Sequence, residues 1–146
     1  MEFKLIIDPT AEETVTATVH KRSALTEEIE LLVMQYAGTD RITGYTEDDV
    51  KVLRFGEIDC VFVEGGKTYA AASDGEVYLL KLRLFEAQGI LPDAFVKINK
   101  SAIGNLGRIK RFTASFAGGV DAVFQCGHKE YVSRRCFAKI KRRLEK

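Results

Sequence analysis

Apolar and polar positions alternate in short runs over most of the chain, and this is the mark of strands more than of helices. Residues 3–7 read as a strand, followed by a turn at Asp8-Pro9. A second, Thr/Val-rich strand is expected at 14–19. The run SALTEEIELLVMQYAG then switches to helical spacing, with Leu25, Ile29, Leu32, Val33 and Tyr36 on one side. Ser23 or Thr26 is the candidate N-cap, and Gly38 is the stop. This β-β-α unit, residues 1–45, is too small to hold a core alone.

From residue 49 onward the pattern is one of short strands: 51–55, 58–64, 68–72 and 77–80, with Gly65-Gly66 and Asp74-Gly75 as hairpin turns. Residues 82–88 read as a short helix ended by Gly89, with Pro92 beyond it. An extended segment at 95–99 follows, then strands at 109–116, 120–126 and 129–132. The chain closes on a helix over 134–144 whose Cys136, Phe137, Ile140 and Leu144 share an apolar side. The fold class is therefore mainly β (α+β overall), an antiparallel β-domain over 46–146 preceded by the small β-β-α unit. No strand–helix–strand alternation supports a doubly wound nucleotide-binding sheet.

Composition narrows the class. Of the 146 residues, 46% are hydrophobic and 29% charged, the profile of a soluble globular protein. No apolar run approaches the length of a membrane-spanning helix, and the start MEFKLIIDPTAEE lacks the layout of a secretory signal. A cytoplasmic location is expected. Cys60, Cys126 and Cys136 are an odd number without C-x-x-C spacing, so neither a disulfide framework nor a metal site is expected, although Cys126 and His128 lie two apart.

The net charge of +1 conceals an asymmetry. Residues 1–92 hold 9 Lys and Arg against 17 Asp and Glu, whereas residues 93–146 hold 13 against 4. A polyanion is the expected partner of the C-terminal part.

Catalytic signals are weak. Gly66-Lys67-Thr68 copies the tail of a phosphate-binding loop, but Val61 stands where its first glycine belongs and a strand follows instead of a helix. His20 and His128 have no evident nucleophile with an orienting third group. No enzyme, cofactor or small-molecule substrate is expected. The basic part offers more. In Lys97-Ile98-Asn99-Lys100-Ser101, alternation turns Val96 and Ile98 to the core and Lys97 and Asn99 away from it. In Tyr131-Val132-Ser133-Arg134-Arg135 a strand ends and a helix opens, with Ser133 placed to cap it and the helix N-terminus suited to a phosphate. Lys and Arg neutralise phosphates, Arg reads guanine bidentately and Asn pairs with adenine.

These segments carry a resemblance to a known family. LPDAFVKINKSAIGNLGRIKRF resembles the signature of LytTR-type DNA-binding domains, YVSRRCFAKIKRRL is similar to their closing segment, and IDCVFVEGGKTYAAASDGEVYLLKLRLFEAQ to their opening. The resemblance covers about residues 46–146. It implies a mainly antiparallel β-fold that inserts loops into successive major grooves of promoter DNA, often as two copies on direct repeats. Position by position, it implies Lys97, Asn99 and Lys100 as contacts from the central loop. Arg134 and Arg135 come from the closing segment, with Arg135 set to reach a base edge, and Lys67, with Thr68 beside it, from the opening hairpin. Ser101 and Asn105 match the family pattern too, in structural or phosphate-side roles, and Ser133 is counted with the DNA-binding residues of the closing segment. Lys97 and Asn99 stand where members commonly carry Arg and His, and Ala102 and Gly104 where they carry bulkier groups. Donors are kept, but Lys lacks the planar fork of Arg, so the base preference is left open.

The 45 preceding residues are too few for a phosphoacceptor receiver domain. The chain is similar to short, freestanding bacterial members, some of them restrained by small membrane proteins. A sequence-specific transcription regulator, homodimeric and with such a membrane partner, is what the resemblance implies. The competing reading is a protein-interaction module, its acidic N-terminal unit binding a partner and its β-domain having little DNA affinity.

Overall fold

The computed structural model describes residues 1–37, 40–115 and 118–145. Its elements run α1 (Ala24–Ala37), β1 (Arg41–Tyr45), β2 (Val50–Arg54), β3 (Ile58–Glu64), β4 (Lys67–Ala72), β5 (Val77–Leu80), α2 (Leu84–Ile90), β6 (Phe95–Asn99), β7 (Ala102–Asn105), β8 (Ile109–Ala114), β9 (Val120–Phe124), β10 (Lys129–Val132) and α3 (Arg134–Leu144). Every pairing is antiparallel. Seven strands form one sheet in the order β2-β1-β5-β4-β3-β7-β6, and three form a second in the order β10-β9-β8.

The central strand β3 is buried on both faces and reads as a near-continuous apolar run, as such strands do. A register shift between Ile58 and Cys60 sets its facing. Ile58 and Val61 join Leu53, Ala70, Ala72, Tyr78, Leu80 and Ile103 under α2, whose Ala87 is fully buried. Cys60 and Phe62 face the other way, into a second core with Ile98, Ala102, Ala122, Phe124, Val132 and Ile140. That second core glues the small sheet and α3 to the large sheet. Asp59, fully buried, adds a polar tie: it accepts Arg108 Nε at 2.8 Å and the Cys126 N–H at 2.9 Å.

The two strands expected at 3–7 and 14–19 do not form. A strand needs a neighbour to take its ladder hydrogen bonds, and among the described residues no strand pairs with them. Phe3, Leu5, Ile6 and Ile7 are consequently 74–87% exposed. The N-terminal unit is thus one helix after an extended arm, not β-β-α. In α1, the Ser23 N–H donates to Thr26 Oγ1 at 2.9 Å, so the two candidate caps act together. The stop at Gly38 and the end of the 109–116 strand at Phe116 lie outside the described residues. Two strands escaped sequence reading, β1 and β7, and β1 lies ahead of the boundary drawn at 45. The α2 helix runs through Gly89 and ends at Ile90, before Pro92. Among the described residues no helix is long and apolar enough to cross a membrane.

Candidate nucleic-acid interface

Three basic segments, separate in sequence, meet at one end of the molecule. The first is the β3–β4 hairpin, whose two-residue turn is made by Gly65 (φ +59°) and Gly66 (φ +79°), a conformation that favours glycine and the primed hairpin turns. Lys67 stands opposite Glu64 in the strand register just beyond the turn and is exposed, whereas Thr68 is buried. The second is the β6–β7 turn with Lys100 and Ser101. It is fastened beside the first because the Val63 N–H donates to the Ser101 carbonyl at 2.8 Å. The third is the β10–α3 junction, fastened to β6 because the Ser133 N–H donates to the Ile98 carbonyl at 2.9 Å.

Asn99 closes the arrangement. Its Nδ2 donates to the Tyr131 carbonyl at 2.6 Å and its Oδ1 accepts the Ser101 N–H at 2.6 Å. One side chain therefore holds the central turn and the closing segment together. It keeps one amide N–H and one oxygen lone pair beyond those bonds. Lys97 is exposed, as alternation along β6 requires with Ile98 fully buried, and Lys100 is exposed because it stands in the turn beyond β6.

Ser133 caps α3: it is extended, with φ −66° and ψ 153°, and its Oγ accepts the Cys136 N–H at 3.2 Å. Arg134 and Arg135 occupy the first turn of this helix, both exposed. The apolar side of α3 anchors it, with Ile140 buried and Cys136 and Phe137 packed on the second core, while Leu144 is 55% exposed instead of completing that side. Phe137 meets Phe112 edge-on at 5.2 Å between ring centroids.

A cleft of about 1130 Å³ runs between β6, α3 and the start of α1, lined in part by Lys97, Asn99, Lys100, Ser133, Arg135, Lys139 and Arg143. Lys139 and Arg143 were not singled out from sequence. Their signal was present, since 135, 139 and 143 follow the i, i+4 spacing that puts side chains on one helix face. Arg22 and Glu27 enter the cleft from the arm and α1, and Arg22 pairs with Asp93 and, at 2.9 Å, with Glu30. None of Lys67, Lys97, Lys100, Arg134 or Arg135 takes part in an ion pair among the described residues, so their charge is available to a polyanion.

An antiparallel β-domain that gathers basic turns and a capped helix start at one end has, as a class, the cationic surface of a nucleic-acid-binding domain. Residues 48–145 match the family model of the LytTr DNA-binding domain, and the chain belongs to that family. A solved LytTr DNA-binding domain from Bacillus cereus superposes with a TM-score of 0.63, at 22% identity, covering 72% of this chain and 96% of that one. The chain is also 29% identical over 103 residues to an uncharacterized HTH-type transcriptional regulator of Staphylococcus aureus strain NCTC 8325, covering 70% of this chain and 69% of the relative. The counterpart in the bovine strain RF122 matches to the same extent.

Proposed function

We propose that this protein is a transcription regulator that binds promoter DNA sequence-specifically and places the β6–β7 turn and the β10–α3 junction in the major groove. The observation that carries this reading is the convergence of three basic segments, pinned to one another by the Val63–Ser101, Ile98–Ser133 and Asn99–Tyr131 hydrogen bonds. No two of the three described helices follow one another in the chain, which favours reading by loops and a helix start over reading by a helix-turn-helix pair. Lys67, Lys97, Lys100, Lys139 and Arg143 serve phosphates. Arg135 reads a base edge with Arg134 beside it. Asn99, Ser101 and Ser133 shape the reading surface, Asn99 offering its remaining donor and acceptor to a base. The chemistry is binding, not catalysis.

Quantitative binding to a fragment of the protein's own upstream region tests this. Log affinity should fall with log salt by about 0.9 per phosphate neutralised. Lys100→Ala should weaken binding to all sequences and lower that slope by about 1. Arg135→Ala should cost about 1–3 kcal/mol and relax preference at one position. Unchanged binding by both variants would overturn the site assignment.

The arm and α1, the bulk of residues 1–45, act in this reading as an attachment for self-association or for a partner protein, a membrane protein included. The exposed Phe3, Leu5, Ile6 and Ile7 are the observation that favours it.

A further inference from the structure

Away from the DNA-facing end, the fold brings together three side chains that are distant in sequence. Cys60 lies on β3 and is fully buried, and His128 and Glu130 come from the β9–β10 hairpin of the other sheet. Ligand-type atoms of the three all lie within 4.8 Å of one another. We propose that Cys60, His128 and Glu130 form a zinc site that bridges the two sheets, with a water in the fourth position.

The local structure supports a defined site. The Cys126 N–H on Asp59 docks the hairpin beside Cys60, and the Phe124 N–H on the His128 carbonyl at 2.9 Å closes the hairpin. The His128 ring stacks on Phe62, with centroids 4.7 Å apart and 20° between planes, which fixes its edge. His128 Nε2 sits 3.2 Å from Glu130 Oε1. A thiolate, an imidazole and a carboxylate are ligands zinc takes, at about 2.3, 2.0–2.1 and 2.0–2.2 Å. Atoms at such bond lengths around a tetrahedral ion stand roughly 3.3–3.7 Å apart, so the triad closes by at most about 1.5 Å. The side chains of His128 and Glu130 are 20% and 22% exposed, which opens a route for the ion from the hairpin side. On binding, the Cys60 thiol gives its proton to solvent and its sulfur bonds the metal.

The test uses the full chain, reduced and stripped of metal, carrying Cys126→Ser and Cys136→Ser so that Cys60 is the remaining thiol. Titration with cobalt(II) should give a thiolate-to-cobalt charge-transfer band with the visible absorption of a tetrahedral ion, saturating at one equivalent and erased by zinc. Adding Cys60→Ser should abolish the band. Glu130→Gln, at a partly exposed position and able to keep a hydrogen bond to His128, should leave the circular dichroism unchanged and weaken cobalt binding about tenfold or more. Absence of the band in the starting variant, its survival with Cys60→Ser, or unchanged affinity with Glu130→Gln would each overturn the proposal.

Discussion

Single atoms decide several positions of this fold. A Cβ on Gly44, in the middle of β1, would lie 2.7 Å from Tyr78 Cβ and 2.8 Å from Leu53 Cδ1, both part of a packed core. Gly44→Ala should therefore destabilise by about 1–3 kcal/mol through overpacking, read as a lower urea midpoint. Gly104→Ala, whose nearest neighbour would be Phe124 Cζ at 3.0 Å, should cost less. Asp74 carries a different dependence. Its carboxylate accepts Lys51 Nζ at 2.7 Å, the Glu76 N–H at 2.8 Å and the Tyr78 hydroxyl at 2.7 Å. The Lys51 bond foremost, then the Glu76 and Tyr78 bonds, holds its pKa down at about 2, against an ordinary value of 3.8. As pH falls below about 4 the unfolded chain takes up this proton first, and the folded chain follows only near 2. The stabilisation is thus present above pH 4 and lost between 4 and 2. The stability gap between the native chain and Asp74→Asn, measured by urea unfolding at a series of pH values, should narrow across that window and stay constant above it.

Elements were legible where their hydrophobic pattern was complete on its own. β3, β4, β5, β9, β10 and α3 have apolar runs or alternation bounded by turn residues, and they fold where sequence places them. β7 was missed because Ala102-Ile103-Gly104-Asn105 offers small residues and one branched one. It is a strand because β3 and β6 flank it and bury all four positions. Tertiary context overrides propensity here. The arm at 1–22 fails in the opposite direction: its pattern is strand-like, but pairing must come from elsewhere. At the interface, the charged residues were visible in sequence and the pinning was not, because Asn99–Tyr131 spans 32 residues. The cap of α3 was legible as Ser followed by two Arg. Ser133→Ala should remove the bond to the Cys136 N–H and cost about 1 kcal/mol of stability. Because the same residue sets the angle at which Arg134 and Arg135 leave the sheet, DNA affinity should drop as well. Ser133→Asp, which restores the cap but adds negative charge, should recover thermal stability and not binding.

At the scale of the whole molecule, charge and apolar exposure divide the chain into two surfaces. The three basic segments gather at one end, and the arm leaves its apolar side chains without a core. Phe3 and Ile6 are 87% and 83% exposed, and at the outer edge of the large sheet β2 leaves Val50 and Val52 at 67% and 56%. Exposed edge strands and apolar segments of this kind are ordinarily covered, charged or paired. Among the described residues the arm is neither covered nor paired, so a second copy is the partner we propose, and a two-fold assembly would present two basic ends to DNA. Sedimentation of the full chain at micromolar concentration should then give twice the monomer mass. Phe3→Asp with Ile6→Asp, which places charge where burial is required, should give the monomer mass. Because Phe3 and Ile6 do not line the basic cleft, that variant should keep affinity for a single half-site and lose the added affinity two linked copies have for two half-sites. A native mass equal to the monomer would end the self-association reading. It would leave the exposed arm to a different protein.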